Sequence, residues 1–290
     1  MDSLLSSLEM KVVHSNSEFN FWRNNLPDDN TSIGLVPTMG ALHLGHIKII
    51  ERACIENDFA VCSIYVNPTQ FNNPVDLERY PRNLEKDLDL LSGYSNLVVY
   101  HPTDADIYPS NDFKIPPKVE LEHLAIVMEG ENRPGHFEGV LTVVKRLFEN
   151  VKPNKAYFGL KDYQQYLVVK KLAETFFPEI EIVANEIIRS EKGLALSSRN
   201  QRLSDAGKLE AEKLNGYLKE VLFMSDKVSI QKALEQIRCS VELNSNISLE
   251  YLTIVDAEDL SDYKRLNSKE SRAFIAAWVE NVRLIDNMGL

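Results

Sequence analysis

The chain has 290 residues, of which 44% are hydrophobic and 26% are charged, and its formal net charge is −11. These values are typical of a globular protein with a full core, in one large domain or two ordinary ones. The acidic excess argues against a nucleic-acid-binding surface, which needs a basic face, but a local basic pocket for a small anion is compatible with it.

Location is predicted from three features. No run approaches the roughly 18 apolar residues of a membrane span. The opening stretch MDSLLSSLEMKVVHS has no basic residue before Lys11, unlike the leader of a secreted protein. The cysteines, Cys54, Cys62 and Cys239, are odd in number and lack metal-ligand spacing, so we interpret them as reduced thiols. The sequence therefore predicts a cytoplasmic protein without membrane or nucleic-acid partners.

Short apolar runs alternate with helical patterns up to residue 188. The runs predict strands near 32–37, 60–66, 97–100, 155–159 and 181–188, and the 3.6-residue spacing predicts helices near 16–26, 45–57, 84–91, 137–151 and 162–177. Strands that alternate with helices form a parallel sheet covered on both faces. We therefore predict an α/β fold with a doubly wound, Rossmann-like sheet, in which ligands bind at the carboxyl ends of the strands.

Two connecting stretches lack this periodicity. Residues 67–81 contain several prolines and asparagines, and loops of this length inside compact domains are usually functional. Residues 118–128 follow a turn-rich stretch, and we expect them to contain extended structure.

The pattern changes after residue 188. Two helical segments, 204–224 and 229–243, precede two extended runs, 249–255 and 272–285. Helices followed by paired strands predict a smaller α+β domain. The predicted domains are therefore 1–187, which holds the parallel sheet and the catalytic site, and 188–290.

Residues 33–50, IGLVPTMGALHLGHIKII, combine a strand, a glycine-bearing turn and a helix start. His43 and His46 are three residues apart, so both project from one face of the helix start. Free N–H groups there bind phosphate, and two imidazoles can donate hydrogen bonds to its oxygens. Two capping or structural histidines explain the spacing equally well. Metal binding is less attractive, because no carboxylate or third histidine is near in sequence.

Two further polar clusters follow predicted strands. Asn67 and Gln70, with Tyr80 beyond them, can bind a substrate that has hydroxyls and a carboxylate, although a strand-ending turn explains them as well. Residues 129–139 form a Gly/Pro-containing charged stretch that is either a loop closing over a site or solvated surface.

Two more clusters contain candidate phosphate ligands. In Gly159-Leu160-Lys161-Asp162 the glycine permits close backbone approach, and a lysine at a helix start is a point charge suited to phosphate. Asp162 is explained equally well as a helix cap. In 194–200, two serines precede an arginine whose planar fork suits phosphate oxygens, but Ser-Ser-Arg is also common in loops.

In this order and spacing, the five clusters resemble the motifs of pantothenate synthetases, the pantoate–β-alanine ligases. That family belongs to the nucleotidyl-transferase superfamily with a His-x-Gly-His motif, which includes class I aminoacyl-tRNA synthetases. The resemblance covers most of 33–202 and returns in Arg283-Leu284-Ile285-Asp286-Asn287. Leu160 departs from the pattern, which has glutamate there, so a side-chain role at 160 is not expected.

The resemblance implies ATP as a substrate, Mg²⁺ as a cofactor and a set of site residues. The residues that hold the phosphates during catalysis would be His43, His46, Lys161, Ser197, Ser198 and Arg199. ATP would contact Pro37, Thr38, Met39, Gly40, Ala41, Leu42, His43, Leu44, Gly45, His46, Gly159, Leu160, Lys161, Asp162, Ile188, Leu196, Ser197, Ser198 and Arg199. Pantoate and β-alanine would contact Asn67, Gln70, Tyr80 and Gln165. Asp87 is a candidate carboxylate on the magnesium side.

The implied reaction is the ATP-dependent condensation of pantoate with β-alanine through a pantoyl-adenylate, with release of AMP and pyrophosphate. The family also implies a homodimer. Two alternatives remain open: another adenylate-forming or nucleotidyl transferase of the same superfamily, and a non-catalytic nucleotide-binding module.

Overall fold

A computed structural model describes residues 10–28, 30–109, 116–225, 227–262 and 271–289. The chain divides into two compact units. The N-terminal unit comprises Met1–Leu121, Arg133–Gly159 and Val168–Asn185, and the C-terminal unit comprises Glu122–Asn132, Leu160–Leu167 and Glu186–Leu290. Two short segments that precede residue 186, Glu122–Asn132 and Leu160–Leu167, therefore belong to the C-terminal unit. The predicted domain boundary at 187/188 stays a prediction.

The strands and helices have the following bounds. The strands are β1 (Lys11–Val13), β2 (Ile33–Thr38), β3 (Phe59–Ile64), β4 (Leu97–Tyr100), β5 (Lys155–Gly159), β6 (Glu181–Asn185), β7 (Ile247–Asp256), β8 (Ser271–Val279) and β9 (Val282–Gly289). The helices are α1 (Asn16–Asn24), α2 (Leu44–Glu56), α3 (Pro74–Glu78), α4 (Leu84–Leu91), α5 (Asp104–Ile107), α6 (Glu129–Asn132), α7 (His136–Val151), α8 (Tyr163–Phe176), α9 (Asp205–Ser225) and α10 (Ile230–Glu242). Short 3₁₀ helices lie at Pro68–Gln70, Glu122–Ala125, Leu160–Asp162 and Ser198–Arg202.

The N-terminal unit is built on a six-stranded sheet in the order β1-β4-β3-β2-β5-β6, with every pair parallel. Its central strands are apolar on both faces, as strands covered by helices on both sides must be: Leu35 and the adjacent Val61 are fully buried. The chain order reverses between β2 and β5, so the carboxyl ends of these strands, Thr38 and Gly159, flank the switch point where ligands bind in such sheets.

Helix α7 shows why the helical spacing was predictive. Its buried residues Val140, Val144, Leu147 and Val151 recur at three- and four-residue intervals and form one apolar face. Apolar faces of this kind cover the sheet and close the core of the N-terminal unit.

The C-terminal unit has an antiparallel sheet in the order β7-β8-β9, and the apolar faces of α9 and α10 share a core with it. Strands β8 and β9 are joined by Glu280 and Asn281, both with positive φ, of 49° and 64°. Two turn residues with positive φ match the right-handed twist of the strands in a hairpin. Across both units, none of the helices formed by described residues is long and apolar enough to cross a membrane.

The predicted fold class is confirmed, but several local predictions are wrong. Residues 118–128 contain a 3₁₀ helix at Glu122–Ala125 and no strand. The predicted run 272–285 is two strands, because the Glu280–Asn281 turn folds it back on itself. The predicted loop 67–81 contains a 3₁₀ helix and α3, and β1 was not predicted because it has only three residues.

Candidate active site

The first predicted site segment is the turn from Pro37 to His46. Pro37 and Thr38 end β2, Met39 to His43 form the turn, and Leu44 starts α2. Gly40 and Ala41 adopt left-handed backbone, with φ of 75° and 51°. A Cβ atom on Gly40 would lie 2.9 Å from a carboxylate oxygen of Asp87, so glycine is required there.

Asp87 on α4 holds this turn through hydrogen bonds to its backbone. Its Oδ2 accepts from the N–H of Ala41 at 2.9 Å, and its Oδ1 accepts from the N–H of Leu42 at 2.7 Å. The side chain is only 3% exposed, and this burial raises the pKa of Asp87 while the two N–H bonds oppose that rise. Both carboxylate oxygens therefore serve the backbone of the turn.

The magnesium role predicted for Asp87 gains no support from its surroundings. Within the described ranges, no group of three or more His, Cys, Asp or Glu side chains is placed to hold a metal ion. A carboxylate that already accepts two backbone N–H bonds does not fit a dedicated metal cage. The magnesium role of Asp87 stays a prediction.

His43 and His46 lie side by side at the start of α2. His43 is the N-cap residue, and its Nδ1 accepts from the N–H of Gly45 at 3.1 Å. An accepting Nδ1 places the proton of the neutral ring on Nε2, which is then a hydrogen-bond donor. The ring centroids of His43 and His46 are 4.0 Å apart. The predicted capping role and donor role of His43 are therefore compatible.

Asn67 and Gln70 form a buried polar group after β3. The Gln70 Nε2 donates to Met39 Sδ at 3.0 Å, and the Gln70 Oε1 accepts from Asn67 Nδ2 at 3.3 Å. Asn67 Oδ1 also accepts from the hydroxyls of Tyr108 at 2.6 Å and Thr69 at 3.0 Å. Asn67 is thus committed to internal bonds that fix the segment carrying Gln70.

Helix α7 supports the same segment. The Nδ1 of His136 lies 2.9 Å from the backbone oxygen of Gln70, and its Nε2 lies 3.1 Å from Arg133 Nη1. Since a guanidinium only donates, Nε2 accepts and Nδ1 carries the proton that bonds Gln70. At Gly139 a Cβ atom would lie 2.5 Å from the backbone oxygen of Thr69, so only glycine permits this approach. The backbone at Gln70 is therefore positioned by Arg133, His136 and Gly139. The sequence did not reveal this role.

Tyr80 is also buried in the N-terminal unit. Its ring packs edge-on against Phe71, with 5.6 Å between the ring centroids. Tyr80 therefore lies beside the segment that contains Gln70.

The predicted ATP segment 160–162 forms a 3₁₀ helix of the C-terminal unit, directly after Gly159, the last residue of β5. Lys161 Nζ lies 3.4 Å from Asp162 Oδ1, so the lysine has a carboxylate partner. Leu160 is buried, and the expectation that its side chain has no role stays a prediction. The backbone oxygens of Leu160 and Lys161 accept from the amide of Asn287, at 3.0 and 2.9 Å.

The other predicted ATP residues of the C-terminal unit are also close together. The N–H of Leu196 donates to the backbone oxygen of Ile188 at 2.9 Å. Ser197 caps the 3₁₀ helix that contains Ser198 and Arg199, since its hydroxyl accepts from the Arg199 N–H at 3.3 Å. The structure thus joins Ile188 and Leu196 to 197–199 in one local arrangement.

Of the two adjacent glutamines at the start of α8, Gln164 is the structural one. It is buried, its Nε2 donates to the backbone oxygens of Leu124 and Val127, and its Oε1 accepts from the N–H of Glu129. Gln165, predicted to bind pantoate, is only partly buried. The segment 122–132 is therefore anchored by Gln164, while Gln165 remains the candidate for substrate.

A partly buried ion pair in the C-terminal unit was also not predicted. Arg283 donates to both carboxylate oxygens of Glu129, at 2.8 and 2.7 Å, and also bonds Glu250. The Tyr251 hydroxyl donates to Glu129 at 2.9 Å. Burial lowers the pKa of Arg283, but its bonds to the two glutamates outweigh that and raise it. The ion pair fixes α6. The loop predicted at 129–139 is therefore wrong in part, because its first four residues, Glu129–Asn132, form this helix.

The fold and these segments define a doubly wound α/β protein with polar turns at the carboxyl ends of parallel strands. Residues 11–289 match the profile of a family described as pantoate–β-alanine ligase. A pantothenate synthetase from Christiangramia forsetii is 45% identical over 267 residues, which are 90% of this chain and 93% of that protein.

Solved structures agree with the sequence match. The crystal structure of pantothenate synthetase from Thermus thermophilus superposes with a TM-score of 0.87 at 38% identity, covering 97% of this chain and 99% of that one. A pantoate–β-alanine ligase from Francisella tularensis, solved with β-γ ATP and β-alanine, superposes with a TM-score of 0.79 at 38% identity and 97% coverage of both chains.

The chain therefore belongs to the pantoate–β-alanine ligase family. The predicted family, the fold class and the class of enzyme are confirmed. The roles of the individual site residues stay predictions.

Proposed function

We propose that the chain, a ligase of pantoate and β-alanine by its family, joins them in two steps that consume ATP. The pantoate carboxylate attacks the α-phosphorus of ATP, which forms pantoyl-adenylate and releases pyrophosphate. The amine of β-alanine then attacks the acyl carbon, which releases AMP and leaves the amide of pantothenate. The family match and the ATP and β-alanine named for the Francisella structure support this sequence.

The arrangement of His43 and His46 supports the first step most strongly. The His43 ring has its Nδ1 on the Gly45 N–H, so its Nε2–H is a donor held in a fixed direction. The ring centroid of His46 lies 4.0 Å from that of His43, so the helix start carries two imidazoles. Donors held in place before the reaction stabilise charge that develops on phosphate oxygens during transfer. Neither step needs an enzyme nucleophile.

The phosphates are further assigned to Lys161, Ser197, Ser198 and Arg199. Lysine supplies a compact charge, and arginine supplies a planar fork of donors. Ile188 and Leu196 are assigned to adenine and Asp162 to ribose, with the backbone of the 37–46 turn and of Gly159–Leu160 against the nucleotide. The local arrangement of Ile188 with Leu196 supports this assignment.

Pantoate and β-alanine are assigned to Gln70 and Gln165, because an amide both donates and accepts hydrogen bonds. We place Asn67 in a supporting role, since its amide already bonds Gln70 and the backbone oxygen of Gly139. Tyr80, buried beside this segment, is assigned to the wall of the same pocket.

Magnesium is proposed to enter with the nucleotide, because Mg²⁺ is usually bound by substrate phosphates with one or two carboxylates. Asp87→Asn separates the two roles of Asp87. An unchanged Mg²⁺ dependence of activity assigns the carboxylate to the turn alone, and a rise of roughly tenfold in the Mg²⁺ requirement assigns it to the ion as well.

We also propose that the chain works as a homodimer in the cytoplasm. The dimer rests on the family resemblance. The cytoplasmic location is supported by the free thiols Cys54, Cys62 and Cys239, which suit a reducing compartment. Sedimentation equilibrium is expected to give twice the mass of the chain, and a monomer at micromolar concentration contradicts the dimer. Fractionation of the producing cells tests the location.

ATP–pyrophosphate exchange with a panel of carboxylic acids tests the proposed function. Exchange that depends on pantoate supports it. Exchange that depends on another acid favours a different adenylate-forming enzyme of the superfamily. ATP binding without exchange for any acid favours a non-catalytic nucleotide-binding module.

A further inference from the structure

Strand β9 contains Asp286 and Asn287, two side chains that the proposed reaction does not use. Both are buried, with 4% and 1% of their surface exposed. The Asn287 amide bonds the 160–162 turn, which the proposed function assigns to ATP, and the Asp286 carboxylate bonds Arg189, the neighbour of Ile188. A buried polar pair that bonds two ligand segments is placed to position them.

The Asn287 amide fixes the backbone from which Lys161 projects. Its Nδ2 donates to the backbone oxygen of Leu160 at 3.0 Å and to that of Lys161 at 2.9 Å. An amide NH₂ has two protons, so both are used on these two carbonyls. The sequence separation is 127 and 126 residues, so these are tertiary contacts and not local turn chemistry.

Arg272 determines which way this amide points. Its Nη1 donates to the Oδ1 of Asn287 at 2.5 Å. Because a guanidinium has no acceptor, the oxygen of Asn287 must face Arg272, and the NH₂ must face the two carbonyls. The same guanidinium lies 4.0 Å from the ring centroid of Tyr163, the residue that begins α8 after the turn. The turn is therefore held both at its start and at its end.

Asp286 fixes the second segment, which contains Ile188 and Arg189. It accepts from both Nη atoms of Arg189, at 2.6 and 2.8 Å, and from the N–H of Asn287 at 2.8 Å. Arg189 also donates to the backbone oxygen of Asn287 at 3.2 Å. Since Arg189 follows Ile188, the Asp286–Asn287 pair joins the segment assigned to adenine to the turn assigned to phosphate.

We propose that Asn287 is a positioning residue for ATP, which acts by fixing the backbone of Lys161. This proposal rests on the proposed function, in which Lys161 binds the phosphates. The lysine side chain is flexible, so the position of its backbone decides where the ammonium group can reach. A displacement of about 1 Å at a remote contact can cost about 10²-fold in rate.

The test is a double-mutant cycle of Asn287→Asp with Lys161→Ala, read as kcat/KM for ATP in pantoyl-adenylate formation. Asn287→Asp keeps the shape and the oxygen that faces Arg272 but replaces the NH₂ donor by an oxygen. We expect it to lower kcat/KM for ATP by about 10- to 100-fold in the wild-type background. In the Lys161→Ala background we expect no further loss beyond about twofold, the usual error of additivity.

A matched control is Asn215→Asp, the same substitution at a buried asparagine on α9 of the same unit. We expect this variant to lower the melting temperature without a selective loss of kcat/KM for ATP. A similar loss in both asparagine variants contradicts a positioning role. If Asn287→Asp does not fold, Asn287→Ser removes the amide without adding a buried charge and enters the same cycle.

The remaining outcomes separate the two proposals. If Lys161→Ala lowers kcat/KM for ATP and Asn287→Asp lowers it by the same factor in both backgrounds, Asn287 does not act through Lys161 and the positioning proposal is overturned alone. If Lys161→Ala leaves kcat/KM for ATP unchanged, the phosphate role of Lys161 is wrong and the positioning proposal falls with it.

Discussion

Two turns assigned to the nucleotide, one in each unit, are held by buried side chains of opposite hydrogen-bond polarity. The Asp87 carboxylate accepts from N–H groups of the 39–43 turn, and the Asn287 amide donates to carbonyl groups of the 160–162 turn. The difference follows from the backbone of each turn. Left-handed residues at Gly40 and Ala41 direct N–H groups towards α4, whereas the 3₁₀ turn presents carbonyl oxygens to β9.

Both turns avoid buried backbone groups without a hydrogen-bond partner. A buried N–H or carbonyl without a partner costs about 1–3 kcal/mol, so each turn needs a side chain of matching polarity. A carboxylate serves the turn that carries His43 and His46, and a neutral amide serves the turn that carries Lys161. Substitutions in the two turns, or in Asp87 and Asn287 that hold them, test whether both turns bind the same ligand.

The largest effect is expected for His46→Ala. We expect single-turnover formation of pantoyl-adenylate to slow by about 10²- to 10³-fold, the usual loss for one fixed donor to a charged transition state. Lys48→Ala is the control, because Lys48 lies on the same helix in an exposed pair with Glu51. A rate for His46→Ala within a few fold of the control contradicts the assigned role.

Replacing Asp87, which holds the 39–43 turn, is expected to lower the free energy of unfolding. Asp87→Ala removes the acceptor of two buried N–H groups, so the free energy of unfolding falls by about 2–5 kcal/mol. Asp87→Asn keeps one acceptor and is expected to lose about half as much. Urea unfolding measures both. Equal stabilities of Asp87→Asn and wild type would show that one bond is enough and that the carboxylate is not needed for the turn.

A smaller loss is expected for Gly40→Ala. Its φ of 75° disfavours any residue with a Cβ, and that atom would lie 2.9 Å from the Asp87 carboxylate. The left-handed conformation alone costs about 1–2 kcal/mol. Ala substituted at Gly93, where a Cβ would meet nothing within 4 Å and no positive φ is found, is the control. Unfolding curves that coincide for the two variants are incompatible with this account of the turn.

The smallest effect is expected for the rate at which iodoacetamide modifies Cys54, which serves as a reporter of the 39–43 turn. Burial raises the pKa of Cys54 on α2 to about 11, so only about one thiol in a thousand is a thiolate at pH 8. We expect iodoacetamide to modify the exposed Cys239 first and Cys54 slowly, with faster modification as the pH rises towards 11. In Asp87→Asn the Cys54 rate should increase while the Cys239 rate stays constant; equal increases at both would indicate global opening.

The sequence predicted the parts of the fold that depend on local pattern. Alternating apolar runs and helical spacing identified the parallel sheet, and the His-Leu-Gly-His turn followed a predicted strand as expected. The same approach failed for residues 118–128, where extended structure was predicted but the chain forms a 3₁₀ helix at Glu122–Ala125. Local hydrophobicity alone does not separate a short strand from a buried turn.

The supporting contacts of the site could not be predicted, because each joins positions far apart in sequence. Asp87 is 46 residues from Ala41, and Asn287 is 127 residues from Leu160. Asp87 was a candidate carboxylate on the magnesium side, and nothing in the sequence indicated that its oxygens accept from the turn. Gly139 looked like a loop residue, but its lack of a side chain admits the Thr69 backbone. Such roles depend on which segments approach each other in the fold.

The central claim is that the pantoate carboxylate attacks the α-phosphorus of ATP, and an oxygen-transfer experiment tests it most directly. Pantoate labelled with ¹⁸O in its carboxylate is converted with ATP and β-alanine, and the products are analysed by mass spectrometry. Attack at the α-phosphorus predicts one ¹⁸O atom in each AMP and none in pyrophosphate. Label in inorganic phosphate or pyrophosphate, with unlabelled AMP, would contradict the adenylate mechanism.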